Sequence, residues 1–215
     1  MAPNSTFAPG PTDGAVFVGG EGARIGGDKA LRMLGGRPLL AWVILALAPQ
    51  VARLGIVART TEDAASIIAA VMPALPGRIG ARLEPWADRP GLEGPVAALF
   101  GAADRCMAPY LLTSATDTPF LPADVRARLA RALSSQGAAI ATITRPTPTI
   151  ALCQRARLVT LSPRKSLAGT LAPLSPGQSL LSAVEGFNVN TRDDLCEAER
   201  LLATNEALTM LNKAR

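Results

Sequence analysis

The chain has 215 residues, is 48% hydrophobic and only 4% aromatic, and carries a formal net charge of +5. That length suits one α/β domain, and so modest a charge with so few base-stacking rings argues against nucleic-acid binding. With no histidine, a His base, a His metal ligand and any Ser–His–Asp or Cys–His arrangement are excluded; three cysteines without a CxxC pair argue against zinc.

Sparse, unpaired cysteines fit a reducing compartment, so a cytoplasmic location is expected. The longest apolar segment, Pro38 to Pro49, is too short to span a bilayer, and no membrane association is expected. The N-terminus lacks the basic region of a signal peptide. Residues 1–13 are expected to form a disordered tail ahead of one domain spanning 14–215.

In chain order, Ala15 to Val18 reads as a first buried strand. A loop with Gly19, Gly20, Gly22, Gly26 and Gly27 follows, carrying Arg24 and ending in Lys29. Lys29 to Leu34 is a short extended segment. Gly35-Gly36-Arg37-Pro38 is a turn, and Leu39 to Val51 is apolar nearly all round, as a deeply buried helix is. Leu54 to Ala58 is a second strand, Thr61 caps a helix to Val71, and Ile79 to Leu83 is a third strand. A polar loop from Glu84 leads to a helix opened by Pro95. Tyr110 to Ser114 is a fourth strand, with Asp117 in the loop behind it. Pro122 opens a helix to about Gln136. Ala138 to Ile143 and Thr149 to Leu152 are strands. Residues 154–185 read as short helices with Pro and Gly breaks, and Phe187 to Asn190 as a short extended piece. Thr191 caps a final helix, Arg192 to Leu202, with Asp194 in the acidic position of a capping box.

Strands alternating with helices predict an α/β fold, a single Rossmann-like three-layer domain whose mostly parallel twisted sheet carries helices on both faces. In such sheets ligands bind beyond the carboxyl ends of the strands. The glycine loop and the Asp117 loop both follow strands, so both are expected on that rim. Glycines let backbone N–H groups approach an anion closely, and Arg24 and Lys29 add positive charge where phosphate oxygens would sit. A P-loop is excluded, because Asp28 separates Gly27 from Lys29 and no Ser or Thr follows. A loose dinucleotide fingerprint, Gly20, Gly22 and Gly26, stays open, with Arg59 after the second strand suited to an NADP phosphate. Its weakness is the proton donor: Tyr110, the only tyrosine, has no Lys four residues on.

A third loop type matches along far more of the chain. Gly19-Gly20-Glu21-Gly22-Ala23-Arg24-Ile25-Gly26-Gly27-Asp28-Lys29, then Gly35-Gly36-Arg37-Pro38-Leu39-Leu40, resembles the signature of the molybdenum cofactor guanylyltransferases. Gly94-Pro95-Val96-Ala97-Ala98-Leu99, Thr116-Asp117-Thr118-Pro119, Pro148-Thr149 and Phe187-Asn188-Val189-Asn190-Thr191 follow in the family's order. The resemblance implies a nucleotidyltransferase that moves GMP from GTP onto molybdopterin and releases pyrophosphate. It implies Mg²⁺ as cofactor, and a molybdoenzyme or another cofactor-biosynthesis protein as partner.

By the same resemblance, Gly19, Gly20 and Gly22 hold guanine and phosphates, and Val18 borders the base. Arg24 and Lys29 neutralise the triphosphate, and Asp117 binds the metal as a hard oxygen ligand. Asn188 and Asn190 match an asparagine pair on the pterin and metal side. Where the family has Leu-Ala before the paired glycines, this chain has Phe17-Val18. Arg59 stands where an Asn is common, and Thr147 where a His is. Glu84-Pro85 occupies the usual place of a family Asp, with Asp88 as its shifted candidate. The alternatives are a transferase using CTP or another phosphorylated acceptor, and a non-catalytic nucleotide or molybdopterin carrier.

Overall fold

The computed structural model describes residues 10–18 and 29–204; the loop at 19–28 and both ends of the chain lie outside the described residues. The elements run β1 (Thr12–Phe17), β2 (Met33–Leu34), β3 (Arg37–Pro38), α1 (Leu39–Leu47), β4 (Arg53–Ala58), α2 (Thr61–Val71), β5 (Arg82–Ala87) and α3 (Gly94–Arg105). They continue with β6 (Tyr110–Ala115), α4 (Val125–Arg131), β7 (Ala138–Thr142), β8 (Pro146–Gln154), α5 (Arg155–Leu158), α6 (Leu167–Leu171), β9 (Gly177–Leu180) and α7 (Arg192–Thr204).

Seven strands form one sheet in the order β5-β4-β1-β6-β8-β7-β9, while β2 and β3 pair separately. All the neighbours are parallel except β8, which runs against both β6 and β7. This is the expected α/β sheet with one reversed strand. The period of two sorts each strand between two cores. Val16, Ile56 and Leu112 face α1, α2 and α4, against Ile44, Leu47, Val71 and Leu129. Ala15, Phe17, Val57 and Leu111 face α3 and α6, against Leu99, Ala103, Leu167 and Leu171. Every residue of α1 is buried, as its all-round apolar sequence requires.

Several boundaries differ from expectation for identifiable reasons. Thr12 and Asp13, read as tail, lie in β1. Asp13 is buried because it accepts N–H bonds from Met107 (2.8 Å) and Ala108 (3.2 Å) and pairs with Arg53 at 3.3 Å. The third strand sits three residues later than predicted and contains Pro85, opposite Ile56. Proline is tolerated there because, among the described residues, β5 is an edge strand that pairs on one side only, with β4. Gly35 and Gly36, with φ of 56° and 80°, turn β2 into β3, so Arg37 and Pro38 are strand rather than turn. Thr60, not Thr61, caps α2, its hydroxyl accepting from Asp63 N–H at 3.0 Å. Helix α4 begins at Val125 rather than Pro122, and β9 falls where short helices were expected. Phe187 to Asn190 joins neither sheet.

Two consequences for stability are testable. Gly55 leaves no room for a methyl group, since a Cβ there would lie 2.0 Å from the Trp86 ring. Gly55→Ala is expected to cost about 1–3 kcal/mol by overpacking, read as a lower denaturant midpoint. Glu84 is held by Arg53 Nε at 3.0 Å and Trp86 Nε1 at 3.2 Å. The Arg53 hydrogen bond lowers its carboxyl from the ordinary 4.5 to about 2. A carboxylate depressed in this way stabilises the fold above pH 4.5, and the contribution is lost as pH falls through about 2. Glu84→Gln is expected to destabilise at neutral pH and to flatten the pH dependence of stability across that window.

Candidate active site

The carboxyl ends of β5, β4, β1 and β6 share one rim of the sheet, and the reversed β8 brings its N-terminal end to the same rim. Asp117 stands two residues past β6, in a turn fixed from inside. The buried Thr118 hydroxyl donates to Ala115 C=O at 3.1 Å and lies 3.1 Å from the buried Ser114 hydroxyl. Thr116 N–H bonds Phe17 C=O at 3.3 Å, tying the turn to the end of β1. Asp117's own C=O accepts from Val189 N–H at 2.8 Å, which docks the 188–190 segment on the rim.

Within that segment Val189 is buried while Asn188 and Asn190 are exposed, the alternation of extended chain. Val189 and Phe120 pack in a small core with Leu34, Leu39 and Trp42 on one side and Ala198 and Leu202 of α7 on the other. Gly35 N–H donates to Glu199 at 2.9 Å and joins the β2–β3 turn to α7. The satellite core therefore holds both the β2–β3 hairpin that follows the Lys29 turn and the segment carrying the asparagine pair.

Lys29 opens a single tight turn, Lys29–Leu31, whose Ala30 is buried. Its Nζ donates to Asp117 Oδ2 at 3.0 Å and to Asn190 Oδ1 at 2.7 Å. Asn190 Nδ2 in turn donates to Asn188 Oδ1 at 2.7 Å. Lys29 and Asp117 are each about four-fifths buried. Asp194 Oδ2 accepts from the N–H groups of both Asn190 and Thr191 at 2.8 Å, and Asp194 N–H returns to the Thr191 hydroxyl at 3.1 Å. The Asn190 N–H bond, ahead of the other causes, holds the Asp194 carboxyl below its ordinary value.

Of the residues singled out from the sequence, Lys29, Asp117, Asn188 and Asn190 are thus brought into one hydrogen-bonded group. Asp88 follows β5 on the same rim, its N–H bonded to Ala58 C=O at 2.7 Å. Burial raises its carboxyl, with the nearby Arg59 guanidinium acting the other way. From a strand spacing of ~4.8 Å, three strands place Asp88 about 14 Å from Asp117 across the sheet. Glu84, weighed as a stand-in for the family Asp, lies within β5, locked to Arg53 near the opposite end of the sheet, and is not a site residue. Val18 is half-buried and continues the β1–β4 ladder through a 2.9 Å bond to Val57 C=O. Gly19, Gly20, Gly22 and Arg24 lie outside the described residues. The double hold of Asp194 on the backbone was not anticipated; the sequence signalled only its cap.

Among the described residues no three acidic or sulfur side chains converge as a metal cage. Yet the Lys29 ammonium already sits between the Asp117 carboxylate and the Asn190 amide oxygen, so the donors present are hard oxygens facing a cation. That set fits Mg²⁺, which takes one or two carboxylates and completes its shell with phosphates and water. It does not fit a metal that needs a full protein cage.

The model of the MobA-like NTP transferase domain matches residues 14–190. The chain is 33% identical over 129 residues to a molybdenum cofactor guanylyltransferase of Ralstonia nicotianae, covering 60% of this chain and 57% of that protein. It is 37% identical over 207 residues to one of Rhizobium leguminosarum bv. trifolii, covering 88% and 92%. The matched stretch thus spans little more than half of the Ralstonia relative and nearly all of the Rhizobium one. Among solved structures, the molybdopterin-guanine dinucleotide biosynthesis protein A of Archaeoglobus fulgidus superposes with a TM-score of 0.63 at 24% identity, covering 89% of this chain and 98% of that one. A nucleotidyl transferase of Methanothermobacter superposes with 0.69 at 17% identity, covering 91% and 99%. At those identities the likeness is one of fold.

Proposed function

The chain belongs to the MobA-like NTP transferase family, and from that premise we propose that it transfers GMP from GTP to molybdopterin, releasing pyrophosphate and forming molybdopterin guanine dinucleotide. The observation that carries this reading is the Lys29 ammonium held between Asp117 and Asn190 on the rim of the sheet. Relatives named molybdenum cofactor guanylyltransferase support the choice of GTP and molybdopterin.

In this reading the terminal phosphate of molybdopterin attacks the α-phosphorus of GTP, and the bond to the β-phosphate oxygen breaks as pyrophosphate leaves. The attacking phosphate is an anion at neutral pH, so no strong general base is needed. A chain without histidine suits such chemistry. Positioning and charge stabilisation then supply most of the catalysis. Lys29 and Arg24 offset the negative charge that builds on the leaving pyrophosphate. Gly19, Gly20 and Gly22 hold the nucleotide through their backbone. Val18 and Asp88 line the base side of the rim, beside Arg59. Asn188 and Asn190 face the acceptor. Mg²⁺, when bound at Asp117, would neutralise phosphate oxygens and make the α-phosphorus more electrophilic. Among the described residues no helix is long and apolar enough to cross a membrane; we place the reaction in the cytoplasm.

The reading is tested by pyrophosphate release with each nucleoside triphosphate, Mg²⁺ and molybdopterin. Release is expected with GTP and lost on chelation of the metal. Release with CTP in preference to GTP would overturn the base assignment, and GTP binding without release would identify a carrier. Asp117→Ala and Lys29→Ala are each expected to lower kcat roughly 100- to 1,000-fold, with the cooperative melt retained. An unchanged rate in Asp117→Ala would refute its metal role.

A further inference from the structure

We propose that Asp194 is a positioning residue of the transfer site, acting through Asn190 to hold the Lys29 ammonium against Asp117. A capping box requires of its third helical residue only one bond, to the N–H of the cap. Asp194 does that for Thr191 and also takes the N–H of Asn190, both on Oδ2 at 2.8 Å. Two consecutive N–H groups bound to one oxygen fix the backbone orientation at Asn190. Val189 N–H, bonded to Asp117 C=O, fixes it from the other side.

The Asn190 side chain then has little freedom. Its Nδ2 is committed to Asn188 and its Oδ1 to Lys29, at 2.7 Å each. Lys29 carries three N–H donors on a flexible stem, and its direction is set by the acceptors it meets. Among the described residues the Asp194 carboxylate makes no hydrogen bond to Lys29; it feels the ammonium directly only through their opposite charges, and its hold on the ammonium's direction passes through the asparagine. Helix α7 thereby governs where the ammonium stands, through a residue beyond the stretch matched by the family model. The positioning rests on geometry alone; its effect on turnover rests on the transfer reading above.

The chain has three lysines, Lys29, Lys165 and Lys213, so selective ¹⁵N-lysine labelling reports the ammonium groups one by one. An ammonium held by two acceptors gives a slowly exchanging NMR cross-peak. In Asp194→Ala the Lys29 peak is expected to move to the free-lysine position, and kcat to fall about tenfold with KM for GTP little changed. Asp194→Glu, which reaches the same N–H groups, is expected to restore both. Thr191→Ala removes the other half of the same cap and is expected to leave peak and kcat in place, which separates positioning from helix stability. If Asp194→Ala does not fold, Asp194→Asn keeps the shape, weakens the acceptor and is read by the same peak. An unmoved peak in the Asp194 variants, or an equal shift in Thr191→Ala, would overturn the proposal. A moved peak with unchanged kcat supports the positioning and counts against the role given to Lys29 in transfer.

Discussion

The charge–charge contact between Lys29 and Asp117 joins parts of the chain that are 88 residues apart, and the bond from Lys29 to Asn190 reaches across 161. An ion pair at a partly exposed rim adds little to stability. Its consequence is placement. It sets one ammonium, one carboxylate and two carboxamides at the mouth of a parallel sheet, where strand ends and loop N–H groups already favour anions.

The fold brings these groups together with two devices. One is the sheet, whose parallel strands deliver Val18, Arg59, Asp88 and Asp117 to the same edge. The other is the satellite core of Leu34, Trp42, Phe120, Val189 and Leu202, which clamps α7 and the β2–β3 turn together beside that edge. The first device places Asp117 and the strand ends, and the second places Asn188 and Asn190 beside them. At the far end of the sheet, Arg53, Glu84 and Asp13 form a separate, partly buried network of ion pairs.

Much of this was legible in the sequence because its signals are local. The buried helix opening at Leu39, although read as running to Val51 rather than ending at Leu47, and the capping box at Thr191 were both found where the local pattern put them. Errors arose where tertiary context overrides local preference. Pro85 reads as a strand breaker, yet an edge strand accommodates it. Thr12 and Asp13 read as tail, because nothing local indicates that Asp13 finds N–H donors at residues 107 and 108. The grouping of Lys29 with Asn190 was legible only through family resemblance, since no periodicity links residues so far apart. The second bond of Asp194 left no sequence signal beyond that of an ordinary cap.

The central claim is that Lys29 and Asp117 act as one unit, and a double-mutant cycle on kcat/KM for GTP measures it most directly. If they form a unit, the Lys29→Ala and Asp117→Ala losses are far from additive, and the double variant is scarcely slower than the worse single one. Additive losses would mean two independent residues and would contradict the account.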